Sequence, residues 1–152
     1  MKLSSGIILY RKKNHKVEFF LVRPGGPFYK EHQNNIWTFP KGEKNENESE
    51  EEAAKREFKE ETGIVINQDI YPLGKIKLRK GKLVCAFYCE RDVNPQLISS
   101  SLFEMEYPKG SGVRKRFPEI AEARWFIFDE VKEKIHPKLL PFIEQLAKNY
   151  IE

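Results

Sequence analysis

The segment from Ser49 to Gly63 carries start and stop signals for one helix. Ser49 is a favoured N-cap residue, and Glu52 three positions later completes the capping-box pattern. Gly63 suits the left-handed position that follows a helix. Runs of apolar, strand-forming residues lie before and after this helix, at 3–11, 17–22, 70–78, 83–90 and 124–128. This order predicts an α/β protein.

Shorter runs complete the predicted elements. They predict strands at 36–39, 99–107 and 113–117, a polar loop at 41–48 and a helical turn at 131–135, and the run at 124–128 predicts a buried strand. Residues Lys138 to Tyr150 form an amphipathic pattern typical of a C-terminal helix. We therefore expect a mixed sheet covered by helices on both sides.

The length of 152 residues fits a single domain, 1–152. At this size a chain buries enough surface to need no disulfide. Cys85 and Cys89 are four positions apart in a strand-like run, which places them about 13 Å apart, so we expect two buried free thiols and a reducing, cytoplasmic location. Neither a membrane span nor a signal peptide is expected.

The net charge of +4 hides two opposite regions. Residues Glu43 to Glu61 contain nine Glu and four basic residues, a net charge of −5, and the remainder of the chain carries +9. A basic protein has an affinity for polyanions such as nucleotides. The acidic block needs a separate explanation.

Glu57, Glu60 and Glu61 fall within about 100° on the predicted helix. Like charges at this spacing repel each other unless a cation lies among them. Magnesium binds through a few carboxylates together with phosphates and water, which suits metal-assisted attack of water on a phosphoryl group. A solvated acidic face is the alternative interpretation.

A longer pattern favours the metal site. Gly42-x5-Glu48-x7-Arg56-Glu57-Phe58-x-Glu60-Glu61-x-Gly63-Ile64 matches the signature of Nudix hydrolases at every defined position, so the chain resembles this family. The runs SSGIILY, WTFPKG and ARWF resemble the family as well. The RPGGPF and YPKGSG segments are similar to a bacterial subgroup of Nudix pyrophosphohydrolases, with diadenosine tetraphosphate hydrolases among the nearer relatives.

The resemblance implies an α/β/α sandwich with a mixed β-sheet and hydrolysis of a nucleoside diphosphate linked to a group X, with Mg²⁺ or Mn²⁺. It implies that Glu57, Glu60 and Glu61 bind the metal and that Gly42 offers its carbonyl. Arg56 would orient the carboxylates. Glu48 would support the loop or a second metal. The resemblance leaves two alternatives for the general base, because some members use a glutamate of this motif and others a glutamate from a later loop. The later candidates are Glu104, Glu106 and Glu119, whose alternative role is ordinary surface charge.

Basic and aromatic residues outside the acidic block are candidates for binding substrate. The phosphate-binding candidates are Arg23, Lys41, Lys80, Arg114 and Arg116, and the base-stacking candidates are Phe28 and Tyr29, with Trp37 more typical of a core. The basic residues have an alternative role on a solvated surface.

These features predict a hydrolase for a dinucleoside polyphosphate such as diadenosine tetraphosphate. The alternatives are a damaged nucleoside triphosphate or an RNA 5′ end as substrate, and a nucleotide-sensing module without turnover. We expect a monomer or homodimer with no stable nucleic-acid partner and no membrane contact.

Overall fold

The computed structural model describes residues 2–27 and 34–150. The predicted base-stacking residues Phe28 and Tyr29 lie outside this part of the chain. The main sheet has six strands, and a separate sheet has two. The strands are β1 Lys2–Lys13, β2 Lys16–Pro24, β3 Lys41–Glu43, β4 Tyr71–Arg79, β5 Lys82–Glu90, β6 Leu102–Glu106, β7 Arg114–Pro118 and β8 Ile120–Ile127. The α-helices are α1 Glu50–Thr62, α2 Phe128–Lys134 and α3 Leu140–Tyr150.

The main sheet is mixed, as predicted. Its order is β4-β5-β1-β2-β8, with β3 paired to β1. The β1 and β5 strands run parallel, whereas the other neighbours are antiparallel. The β6 and β7 strands form an antiparallel hairpin outside this sheet.

Two hydrophobic cores lie on opposite faces of the main sheet. Along β1, Ile7 and Leu9 belong to one core and Ile8 and Tyr10 to the other, because successive strand residues point to opposite faces. The first core contains side chains of α1, and the second contains side chains of α2 and α3. The predicted α/β/α sandwich is therefore confirmed.

The α1 helix begins and ends where its sequence signals predict. Ser49 and Glu52 form the capping box, in which each side chain accepts a hydrogen bond from the other residue's backbone N–H. Gly63 ends the helix with φ of 78°. Ala54 and Phe58 are buried against the sheet, which leaves the acidic side of the helix facing away from the core.

The predicted loop at 41–48 is partly wrong, because Lys41–Glu43 form β3 on the N-terminal half of β1. A three-residue strand has no hydrophobic alternation by which the sequence could reveal it. The pairing depends on Gly6 of β1, since a Cβ there would overlap the carbonyl of Pro40 and the side chain of Lys41. The pairing places Gly42 beside α1.

Two other strand predictions need correction. The predicted strand at 36–39 makes only isolated bridges, through Trp37 and Thr38, although Trp37 is fully buried. The predicted buried strand at 124–128 is the end of β8, and Arg124 on it is exposed. Because β8 is the last strand in the sheet order, only part of its surface is covered.

Cys85 and Cys89 are free and buried, as predicted. The described helices are no longer than the 13 residues of α1, and none of them is long and apolar enough to cross a membrane.

Candidate metal and nucleotide site

Arg56 lies at the centre of the acidic helix face. Its Nε donates to Glu48 Oε2 at 3.0 Å, and its Nη2 donates to Glu48 Oε1 at 2.7 Å. Its Nη1 donates to Glu57 Oε1 at 2.8 Å and to Glu60 Oε2 at 3.1 Å. Its Nη2 also donates to the carbonyl oxygen of Glu43 at 2.9 Å. One guanidinium thus orients three carboxylates and the end of β3, a task suited to its rigid planar fork.

Glu48 anchors the loop that precedes α1. Its Oε1 accepts a hydrogen bond from the backbone N–H of Asn45 at 2.8 Å, in addition to the bonds from Arg56. The Arg56 hydrogen bonds, followed by the Asn45 bond, lower the pKa of Glu48 to about 2. The resemblance implies that Glu48 supports the loop or binds a second metal. These contacts are of the kind that supports a loop.

Gly42 touches the carboxylate of Glu57. A Cβ at position 42 would overlap both oxygens of that carboxylate, so a larger residue here would force the Glu57 side chain to move away. The contact brings the backbone of β3 and the first carboxylate of the helix into one small region. This is the juxtaposition that a shared metal ligand set at Gly42 and Glu57 requires.

Glu57 and Glu61 are both held in partly buried surroundings. Burial raises the pKa of Glu57 against the hydrogen bond from Arg56, and the charges of Glu60 and Glu48 raise it further. Burial, and then the charge of Glu57, raise the pKa of Glu61 to about 8. The surroundings therefore disfavour the charged form of both carboxylates. A cation bound among them would stabilise that form.

Lys41 supplies positive charge beside these carboxylates. Burial, and then the charge of Lys82, lower the pKa of Lys41, whereas Glu61 and Glu57 act in the opposite direction. Lys41 thus lies among the charges that act on these carboxylates, and its role in binding substrate stays a prediction. Lys82 is a second basic residue in this region.

The donor set fits a hard divalent cation. Glu57, Glu60 and Glu61 offer carboxylate oxygens, the ligand type that magnesium prefers. Within residues 2–27 and 34–150, no three acidic, His or Cys side chains already converge as a metal-binding group. Arg56 explains this in part, because it binds Glu57 and Glu60 directly.

The three base candidates differ in their surroundings. Glu104 pairs with Arg114 at 3.0 Å, and Glu106 accepts a hydrogen bond from the backbone of Gly110 at 2.7 Å, so both are bound within the β6–β7 hairpin. Glu119 follows the hairpin, and its charge helps to raise the pKa of Glu61. Glu119 is therefore a candidate whose charge acts on the acidic helix.

The other predicted phosphate-binding residues lie at three places in the fold: the end of β2, the β4–β5 turn and β7. Arg23 pairs with Glu122 at 3.4 Å near the end of β2, where the Gly25 N–H donates to the Glu119 carbonyl at 3.0 Å. Arg114 and Arg116 are exposed on β7 and pair with Glu104. Lys80 lies in the turn between β4 and β5. Arg23 therefore lies two residues before a backbone contact with Glu119. The other three residues belong to the β4–β5 and β6–β7 hairpins.

Sequence reasoning did not select the serine segment Ser99–Ser101. The Ser101 hydroxyl donates to the carbonyl oxygen of Glu60 at 2.7 Å, and the Glu119 N–H donates to the Ser101 carbonyl at 2.8 Å. These partners are far apart in sequence, so no local pattern could have revealed the contact.

Comparison with known proteins gives consistent results. A family model described as NUDIX domain matches residues 2–146. The chain is similar to a Caenorhabditis elegans Ap4A hydrolase solved as a binary complex, with 25% identity over 98% of this chain and 97% of that chain and a TM-score of 0.67. No curated protein matches.

Two further solved structures share the fold at lower identity. A MutT protein from Methanosarcina mazei is 20% identical over 99% of this chain and 96% of that chain, with a TM-score of 0.64. The NUDIX domain of Shewanella oneidensis NrtR, complexed with ADP ribose, is 16% identical over 97% of this chain and 86% of that chain, also with a TM-score of 0.64.

Proposed function

Since the chain belongs to the NUDIX domain family and is a Nudix pyrophosphohydrolase, we propose that its substrate is a dinucleoside polyphosphate such as diadenosine tetraphosphate. The observation that carries the proposal is the contact between Gly42 and Glu57, whose charge acts on Glu61 together with that of Lys41. The similarity to a protein named as an Ap4A hydrolase supports this choice of substrate.

In this proposal Glu57, Glu60 and Glu61, with the Gly42 carbonyl, hold Mg²⁺ or Mn²⁺. When bound, the cation would neutralise phosphate charge and make a bound water more acidic. Arg56 orients Glu57 and Glu60 through its hydrogen bonds, and Glu48 fixes Arg56 from the other side. The chain's own contribution is therefore a carboxylate group that is oriented before the substrate arrives.

We assign the general base to Glu119. Its charge acts on Glu61, whereas Glu104 and Glu106 are bound within the hairpin. Glu119 would accept the proton of the attacking water. It lies directly after β7, which carries Arg114 and Arg116, so base and phosphate-binding residues would approach the substrate from the same segment.

The basic residues would bind the polyphosphate. Lys41 is nearest to the carboxylates, and Arg23, Lys80, Arg114 and Arg116 would contact phosphates farther from the cleaved bond. Phe28 and Tyr29 remain proposed base-stacking residues. We further propose that the protein acts in the cytoplasm, where its free thiols stay reduced, as a monomer or homodimer.

A substrate panel tests the proposal. The protein is incubated with Mg²⁺ and diadenosine tetraphosphate, ATP, an oxidised purine triphosphate, ADP-ribose or a 5′-triphosphorylated RNA, and the products are separated by ion-exchange chromatography. We expect kcat/KM to be highest for diadenosine tetraphosphate. A higher value for a triphosphate or for RNA would refute the substrate assignment, and binding without turnover would indicate a sensing module.

Paired variants connect the activity with the site. Glu61→Gln removes a proposed metal ligand, and Glu46→Gln makes the same charge change at an exposed position of the preceding loop. We expect Glu61→Gln to lose at least about a hundredfold in kcat, the range typical of losing one electrostatic group in an active site. Glu46→Gln should retain wild-type activity.

A further inference from the structure

The Ser99–Ser101 segment connects two parts of the proposed site that are distant in sequence. On one side it contacts the C-terminal turn of α1, where carbonyl oxygens have no partner within the helix. The Ser99 N–H donates to the Thr62 carbonyl at 2.9 Å, and the Ser101 hydroxyl donates to the Glu60 carbonyl at 2.7 Å. The segment therefore satisfies the end of the helix that carries the carboxylates.

On its other side the same segment holds the start of β8. The Ser101 carbonyl accepts the N–H of Glu119 at 2.8 Å, and the Ser100 hydroxyl accepts the N–H of Ile120 at 2.9 Å. Ser100 also donates its hydroxyl to the Ser101 carbonyl at 2.9 Å. The backbone of Glu119 is thus joined to that of Glu60 through one residue, Ser101.

We propose that Ser101 is a positioning residue that fixes Glu119 relative to the carboxylates of α1. The inference rests on the proposed function, because it assumes that Glu119 serves as base. Ser101 and Glu119 lie on either side of the β6–β7 hairpin, which is not part of the main sheet. The bridge through Ser101 keeps Glu119 at a fixed place although the hairpin beside it is a separate sheet.

The hydroxyl is the part of Ser101 that makes this bridge. Alanine would keep the backbone bond to Glu119 and lose the bond to Glu60, so the segment would no longer be tied to the helix by that residue. Threonine would keep the hydroxyl. Ser99 offers a matched control, because its bond to Thr62 uses the backbone N–H, which alanine retains.

The test combines a double-mutant cycle with a measurement that needs no substrate. We expect Ser101→Ala to lower kcat about tenfold, the factor that one hydrogen bond of ordinary strength supplies, with KM within about twofold. Ser101→Thr and Ser99→Ala should remain close to wild type. In a Glu119→Gln background, Ser101→Ala should cause no further loss, because both changes disable the same group.

Hydrogen exchange in the metal-free protein reports the anchoring directly. We expect the Glu119 amide to exchange about tenfold faster in Ser101→Ala than in wild type, and at the wild-type rate in Ser99→Ala. An unchanged Glu119 amide, or an equal loss of kcat in the wild-type and Glu119→Gln backgrounds, would overturn the role of Ser101. Full activity of Glu119→Gln would overturn it together with the base assignment.

The two proposals fail in distinguishable ways. If the wild type hydrolysed a different member of the substrate panel, the double-mutant cycle would be measured with that substrate. The same criteria would then decide the role of Ser101. If no member were hydrolysed, the exchange rate of the Glu119 amide would still decide whether Ser101 anchors this position.

Discussion

The carboxylate of Glu57 occupies the space beside Gly42 in which any other amino acid would carry its Cβ. The glycine of the signature therefore has a packing reason in this chain, separate from the carbonyl that it would offer to a metal. The carboxylate of Glu57 can lie this close to β3 only because position 42 has no side chain. This contact leads to the first prediction.

Gly42→Ala should lower both stability and activity. The added methyl group must displace Glu57 or β3, and overpacking of this kind costs about 1–3 kcal/mol. We expect a lower midpoint in urea and a loss of kcat of at least about tenfold, because the displaced Glu57 carboxylate is a proposed metal ligand. Glu57→Asp in the Gly42→Ala background, with its shorter side chain, should recover part of the stability. A fully stable and active Gly42→Ala would refute the close contact.

Glu61 should make the stability of the metal-free protein fall as the pH rises. Its folded pKa is raised from 4.5 to about 8, so the folded state binds the proton more tightly than the unfolded state between these values. The resulting stabilisation is full below pH 4.5 and is lost as the pH rises through about 8. The free energy of unfolding of Glu61→Gln should therefore increase relative to that of wild type as the pH is raised.

Urea unfolding in EDTA at pH 5, 7 and 9 measures this difference. Glu46→Gln, an exposed site with the same charge change, should not reproduce the trend. Adding Mg²⁺ at pH 8 should stabilise wild type more than Glu61→Gln, because ligand binding to the folded state raises its stability. A wild-type stability that rose relative to Glu61→Gln over this range would contradict the burial of the carboxyl group.

The Arg56–Glu48 pair should determine how the protein responds to acid. Arg56 holds the folded pKa of Glu48 at about 2, below the ordinary 4.5, so the pair stabilises the fold above pH 4.5 and loses its effect as the pH falls to about 2. Glu48→Gln should cost about 1.5–3 kcal/mol at pH 7, the value of a hydrogen bond to a charged group. Its stability should then change less than that of wild type between pH 4.5 and 2. Parallel acid-unfolding curves would refute this contribution.

Arg114 and Arg116 should matter more for long polyphosphates than for short ones. Both are exposed on β7 beside Glu104. The double change to alanine should raise KM for diadenosine tetraphosphate by about tenfold, with a smaller effect on ATP. Lys13→Ala with Lys16→Ala, at the β1–β2 turn, is the matched control for lost charge. Equal effects of the Arg114/Arg116 pair on both substrates would remove β7 from the site.

Local signals account for the features that the sequence predicted well. The capping box at Ser49 and the left-handed Gly63 depend on neighbours within a few residues, and both appear in the structure as expected. The Arg56 contact to Glu60 also follows from the i, i+4 spacing of the helix, whereas its bond to the adjacent Glu57 does not. Alternate apolar residues of β1 lie in the two different cores, because successive residues of a strand point to opposite faces of the sheet.

Long-range packing accounts for the features that the sequence analysis missed. Nothing near Glu119 distinguishes it from Glu104 and Glu106 until the chain folds and its charge acts on Glu61. The bond from Ser101 to Glu60 joins residues 41 positions apart. The exposure of Arg124 depends on β8 ending the sheet order, and a single apolar run cannot reveal whether its strand has one neighbour or two.

The parallel pairing of β1 with β5 has a consequence for how the chain folds. Lys2 lies opposite Lys82, so the strand made first must wait for about eighty further residues before its partner exists. The acidic helix lies within the connection that this pairing closes. A partly synthesised chain can form α1 but cannot close the sheet beneath it, and Glu119 follows later still. We therefore expect the complete carboxylate group to assemble late, in the same step as the centre of the sheet.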